Sequence, residues 1–226
     1  MTLYRGGLRA VFDRLQRRMA LFKSRSSRFT DIAEAGGFGD SPSLSGVGST
    51  LEATEAVRDL LPKLIERYNI TSFLDIPCGD FYWMQYVDLK NVEYIGADIV
   101  ESIIAENNSK FGQPNRRFIV SDLCVDNLPR VDLVLSRDCL IHLKLSEIKT
   151  ALRNLKSSGS RLFLLSTYPA VLVNPEIDPR FCRNVNLEMP PFNLPKPIEL
   201  FYEGGGCNEG KALGLWRNSD LPGGRR

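Results

Sequence analysis

The chain has 226 residues, 43% of them apolar and 25% charged, with a formal net charge of +2. This suits one globular domain with an appendage and excludes a disordered chain. No apolar run approaches the roughly 18 residues of a membrane span, and the overall charge is too small for a nucleic-acid coat protein.

The charge is unevenly placed. Residues 1–28 hold eight Arg/Lys against one acid, Asp13, which gives this arm +7 and leaves the remaining 198 residues at −5. Leu8, Val11, Phe12, Leu15, Met19 and Phe22 recur at three- and four-residue steps with arginines between them, the pattern of a basic amphipathic helix. Four roles compete for it: packing on the body, an RNA contact, a cleaved organelle transit segment, or peripheral membrane contact. A signal peptide is disfavoured because no apolar h-region follows. The predicted domain spans 29–222, followed by a short tail at 223–226.

A Gly/Ser-rich stretch, 36–49, reads as a loop. A helix is predicted over 50–68, with Pro62 as a kink or boundary. From residue 71 apolar runs alternate with helix-length segments. Strands are predicted at 72–76, 92–97, 117–120, 131–136 and 161–167, with helices near Asp80, after Glu101, and from residue 137 through 155. Prolines at 169, 175, 179, 190, 191, 195 and 197 exclude a long helix over 168–198, and two further strands close the chain at 198–203 and 212–217. The pattern predicts an α/β fold with a doubly wound, mostly parallel, seven-stranded sheet. A long irregular segment in such a domain is often functional, so 168–198 is a candidate substrate cover.

Five scattered cysteines (Cys78, Cys124, Cys139, Cys182, Cys207) form no CxxC pair, so neither a disulfide framework nor a zinc knuckle is read. A reducing, cytoplasmic setting is expected. The single histidine, His142, argues against a His-based metal centre.

Ligands of doubly wound folds bind at the carboxyl ends of the strands. Asp75, Asp98 and Asp122 each end one of three successive predicted strands, where a nucleoside needs hydrogen-bond acceptors; each alone could instead cap a helix. Gly79 in the first turn permits a close backbone approach. The dinucleotide fingerprint G-x-G-x-x-G is missing. Pro77-Cys78-Gly79-Asp80-Phe81-Tyr82 stands in its place, and a pyrophosphate would meet the Asp80 carboxylate and the bulk of Phe81. A nicotinamide oxidoreductase is therefore disfavoured, and a nucleoside without phosphate fits better.

At this point the chain resembles the class I S-adenosylmethionine-dependent methyltransferases. Phe73-Leu74-Asp75-Ile76-Pro77-Cys78-Gly79-Asp80-Phe81-Tyr82-Trp83-Met84 is similar to the variant first motif of a bacterial subgroup. So are Ser43-Leu44-Ser45-Gly46-Val47-Gly48-Ser49, Ser136-Arg137-Asp138 with His142-Leu143, Pro191-Phe192-Asn193, and Lys211-Ala212-Leu213-Gly214-Leu215-Trp216. The more common first motif has glycine where Pro77 and Phe81 stand. The resemblance implies S-adenosyl-L-methionine as cofactor. It places Asp75 and Gly79 by the methionine part, Asp98 with Ile99 by the ribose, and Asp122 with Leu123 by the adenine. Arg137 joins this set, and Ser45, Gly46 and Ser49 would close over the cofactor.

On the acceptor side, a helix starting after Ser136 would place Asp138 and His142 on one face, so that the acid orients the imidazole as a general base. The alternative is a helix cap and a packed histidine. Tyr168, Arg183 and Asn186 are the candidate substrate residues of the proline-rich segment. The expected function is methyl transfer, by O-methylation, to a small molecule or carbohydrate. The rivals are an RNA or protein methyltransferase gripping phosphates with the basic arm, and a catalytically silent nucleoside-binding protein. The acidic body and the lack of an NPPY-like tetrad weigh against nucleic acid.

Overall fold

The computed structural model of the chain describes residues 24–177 and 181–223. Its strands are β1 (Ser72–Asp75), β2 (Glu93–Asp98), β3 (Arg116–Val120), β4 (Leu133–Ser136), β5 (Leu162–Thr167), β6 (Glu199–Tyr202) and β7 (Ala212–Arg217). They form one seven-stranded sheet in the order β3-β2-β1-β4-β5-β7-β6. The first five pair in parallel, and β7 is inserted antiparallel between β5 and β6. The order reverses between β1 and β4, and that switch opens a crevice at the strands' carboxyl ends. The helices are α1 (Arg25–Glu34), α2 (Glu55–Arg67), α3 (Glu101–Phe111) and α4 (Leu145–Ser157).

The sheet is buried on both faces, and alternate residues serve two separate cores. Leu74, Val134, Phe163 and Leu165 meet Ile148, Ala151, Leu152 and Leu155 of α4 on one side. Phe73, Leu133, Leu135, Leu162 and Leu164 meet Val57, Leu61, Leu64 and Ile65 of α2 on the other. Both helices space these residues at three and four, which gives each an apolar stripe. This explains why the strands read as short continuous apolar runs rather than alternating ones.

Three helix expectations need correction. The helix predicted over 50–68 begins at Glu55 and contains Pro62 without ending there. No helix follows β1 near Asp80; the connection has only a 3-10 turn at Met84–Tyr86. Its covering role falls to Phe81, Trp83 and Met84, which are buried in the α2-side core. Phe81 packs 5.1–5.3 Å, centroid to centroid, from Tyr94, Phe111 and Phe118, and this packing holds its backbone at φ +57°. The helix expected after Ser136 starts only at Leu145, because Asp138 takes φ +55° and a 3-10 turn at Leu140–His142 intervenes.

The proline-rich segment has no regular helix in its described part, as expected, but it is a packed wall. Val185, Leu187, Phe192 and Leu194 belong to the α4-side core. Asn174 Nδ2 donates to the carbonyls of Asn186 and Pro190, both at 2.8 Å, and the Asn186 N–H returns a bond to Asn174 Oδ1 at 2.9 Å. Most of the basic arm, residues 1–23, lies outside the described residues. Its last arginines, Arg25 and Arg28, belong to α1, so the domain boundary expected after residue 28 falls within a helix. All five cysteines are free thiols. No described helix is long and apolar enough to cross a membrane.

Candidate functional site

A cavity of about 140 Å³ lies over the carboxyl ends of β1, β2, β3 and β4. Asp75, Gly79, Asp98, Ile99, Asp122, Leu123, Arg137, Asp138 and His142 all line it, together with Ser45 and Ser49. The topology therefore brings the three strand-end acids to one place. Gly46 does not line the cavity. Its φ of +85° turns the loop, and a Cβ there would stand 2.7 Å from the Phe38 carbonyl.

Asp98 is 6% exposed and accepts the N–H groups of Gly79 at 3.1 Å and Val100 at 3.0 Å. Burial raises its pKa, against the pull of those N–H groups. Asp75 is 3% exposed and accepts the Tyr94 hydroxyl at 2.8 Å. Burial pushes its pKa up to about 7, with the Tyr94 bond opposing the rise. Among the described residues neither acid forms an ion pair. Keeping both acids ionised at such burial is costly; protonation relieves the cost, and a cationic ligand would relieve it while keeping them charged.

The Gly/Ser loop is fastened to this site rather than slack. Asp80 turns away from the cavity and accepts from Ser43 Oγ at 2.9 Å and from the Leu44 N–H at 2.8 Å. Arg137 Nη1 donates to the Gly48 carbonyl at 2.8 Å. The Asp80 carboxylate, read from sequence as a barrier to pyrophosphate, is thus a clamp on the loop. Gly79 is required here: its φ is +53°, and a Cβ would lie 2.2 Å from Ser45 Oγ.

The acceptor-side pair is arranged differently from expectation. Asp138 and His142 share no helix face, and the Asp138 carboxylate is held by Lys211 Nζ at 2.7 Å and Arg137 Nη1 at 3.2 Å. Burial works against its ionisation, but Arg137 and Lys211 hold its pKa below the usual range. His142 instead stacks on Phe38 at 4.7 Å and sets Nδ1 3.4 Å from the Phe181 carbonyl. Burial lowers its pKa, so the imidazole is neutral at ordinary pH.

Arg137 and Lys211 also bind Glu203, at 2.5 and 3.4 Å, which closes a buried network of two cations and two anions. The Arg137 guanidinium lies 5.7 Å from the Trp83 ring centroid. Tyr168, Arg183 and Asn186 do not line the cavity. Arg183 is spent on the carbonyls of Pro175 and Ile141, and Asn186 Nδ2 on those of Val171 and Pro169. Asn186 thus satisfies the segment's own backbone, whereas Arg183 also ties it to Ile141 and keeps its buried Nη2 without a partner among the described residues.

Asp122 also differs. Its carboxylate is already paired with Arg25, through Nε at 3.0 Å and Nη2 at 2.8 Å, and it accepts the Cys124 N–H at 2.8 Å. Arg25 Nη1 and Arg28 Nη2 reach Glu147 Oε1 at 3.1 and 3.3 Å. The sequence reading missed Arg25 as a site residue because it counted only as arm charge. It also missed Lys211 and Glu203, although opposite charges bracketing the β6–β7 hairpin were a usable signal.

Sheet order, the antiparallel insertion of β7 and an acid-lined crevice define the seven-stranded Rossmann-like methyltransferase fold. The chain matches no family model and no curated protein. Among solved structures it is similar to the N-methyltransferase NodS from Bradyrhizobium japonicum WM9 in complex with S-adenosyl-L-homocysteine. That match has 11% identity and a TM-score of 0.63, over 84% of this chain and 98% of that one. It is also similar to the 1,6-didemethyltoxoflavin-N1-methyltransferase of Burkholderia thailandensis, at 17% identity and TM-score 0.54, over 72% and 77% of the two chains. A match to an S-adenosylmethionine-dependent methyltransferase from Clostridium acetobutylicum ATCC 824 has 17% identity and a TM-score of 0.43. It covers 54% of this chain and only 56% of that one.

Proposed function

We propose that this chain is an S-adenosylmethionine-dependent methyltransferase that methylates a hydroxyl group of a small molecule or carbohydrate. The observation that carries the reading is the pair of buried acids, Asp75 and Asp98, which enter one crevice and form no ion pair among the described residues. A sulfonium nucleoside supplies both the positive charge and the ribose donors that these acceptors lack. No phosphate site is needed. The similar chains from Bradyrhizobium and Burkholderia, both N-methyltransferases with S-adenosylhomocysteine bound, support the cofactor class.

In this reading Asp98 binds the ribose hydroxyls, Asp75 and Gly79 flank the methionine part, and Ile99 and Leu123 border the nucleoside. Ser45, which packs directly against Gly79, and Ser49 present the clamped loop to the same cavity. The cofactor supplies an activated methyl group. The chain's own work is to hold the acceptor in line with it and exclude water. Asp138, kept ionised by Lys211 and Arg137, accepts a hydrogen bond from the acceptor. His142, neutral and in the cavity wall, takes the proton released by a hydroxyl.

The RNA and membrane roles of the arm lose Arg25 and Arg28, which are spent within the domain. Labelled methyl transfer across a panel of sugars, small alcohols, amines and RNA tests the reading. Transfer to a hydroxyl, with at least about a hundredfold loss in His142→Ala, is the expected result. Transfer only to nitrogen, or unchanged activity in His142→Ala, would reject the base. Cofactor binding without transfer to any acceptor would favour the silent binding protein.

A further inference from the structure

Three helices pack on the sheet through apolar side chains; α1 is attached differently. α2 buries Val57, Leu61, Leu64 and Ile65, and α4 buries Ile148, Ala151, Leu152 and Leu155. In α1 the one buried residue is an arginine, Arg28. Yet Arg25, Phe29, Ile32 and Ala33 all line the cavity, and their spacing places them on one side of the helix. α1 is thus a wall of the site whose one fully buried side chain is charged, with Phe29 half-buried beside it.

The charges are specific. Arg25 bridges Asp122, at the end of β3, and Glu147, in the first turn of α4, while Arg28 adds a second contact to Glu147. The four side chains are 9–21% exposed, so the pairs are stronger than fully exposed ones yet still reached by solvent and weakened by high salt. Burial works against the Arg25 charge, yet hydrogen bonds to Asp122 and Glu147 hold its pKa above the ordinary value. Phe29 continues the closure, 6.4 Å from both Phe38 and His142.

We infer that α1 is a cover over the nucleoside end of the cavity, latched by Arg25 and Arg28 onto Asp122 and Glu147, and that opening this latch sets the rate at which the nucleoside product leaves. This rests on the methyltransferase reading and adds to it a residue pair controlling cofactor exchange. Apart from these ion pairs, the apolar hold to be broken for α1 to lift centres on Phe29, which is only partly buried against the α4-side core. A wall fixed as α2 and α4 are fixed would not release a ligand without exposing its core.

The test is S-adenosylhomocysteine dissociation, measured by stopped-flow for the whole chain and for Arg25→Ala/Arg28→Ala. The double variant is expected to release the ligand at least about tenfold faster. Raising sodium chloride from about 0.05 to about 0.5 M should speed release from the wild type and leave the variant nearly unchanged. Equal release rates, or a salt response that persists in the variant, would overturn the latch while leaving the methyltransferase reading intact. Failure of the wild type to bind the ligand would sink both. If the variant does not fold, amide exchange of residues 24–34 in the unmodified protein decides: slower exchange with ligand supports the cover, and equal exchange overturns it.

Discussion

Lys211→Met probes the buried charge network directly. The Lys211 side chain is 2% exposed and its ammonium lies 2.7 Å from Asp138 Oδ2 and 3.4 Å from Glu203 Oε2. Removing it leaves two carboxylates sharing the Arg137 guanidinium. Breaking a buried ion pair from one side typically costs about 3–5 kcal/mol, because the partner stays buried and uncompensated. For a chain of this size that corresponds to a fall in melting temperature of about 6–20 °C.

The pH dependence has a definite sign. The Asp138 pKa lies below its ordinary value of 3.8 in the folded protein. A depressed carboxylate contributes stability that is present above the unfolded pKa and lost as pH falls through the folded one. Wild-type melting temperature should therefore drop as pH is lowered below about 3.8, and that acid-dependent component should shrink in Lys211→Met. Thermal scans from neutral pH to about pH 3 measure both effects. A neutral-pH change under about 2 °C, or an unaltered acid limb, would show that Lys211 does not sustain the network.

Asp98→Asn keeps the size of the side chain but removes its charge. Loss of charged hydrogen bonds to the ribose should weaken S-adenosylhomocysteine binding about 10- to 100-fold by calorimetry, and equal affinity would exclude Asp98 from the site. Asp75 has a pKa raised to about 7, so it is largely protonated at pH 6. A neighbouring cation lowers that pKa, and S-adenosylmethionine binding at about pH 6 should release a proton that is missing in Asp75→Asn. Titration in two buffers of different ionisation enthalpy detects it. Identical apparent heats would refute the proximity of Asp75 to the positive charge.

The strands were legible because each is a short apolar run bounded by polar residues, and their ends placed Asp75, Asp98 and Asp122 together. Two of these acids, Asp75 and Asp98, line the cavity without an ion pair among the described residues. The third, Asp122, is paired with Arg25, ninety-seven positions away in the chain; no local pattern carries such a pairing. The helix expected near Asp80 failed for a related reason. Phe81 is anchored by aromatic partners on β2, β3 and α3, and that tertiary packing overrode the usual strand–helix alternation. Asp138 and His142 were found as cavity residues, but their partnership assumed a helix that starts only at Leu145. In the proline-rich segment composition could not separate an exposed loop from a packed one, since asparagines that suit the first also suit a clasp such as Asn174 with Asn186.

The central claim is that this crevice takes an S-adenosyl nucleoside. Calorimetric titration of the intact chain with S-adenosylhomocysteine tests it most directly, with NADH as the comparison ligand. A single saturable site for the first, and no binding of the second, is the predicted result. Saturable NADH binding, or no heat with S-adenosylhomocysteine across the accessible concentration range, would contradict it.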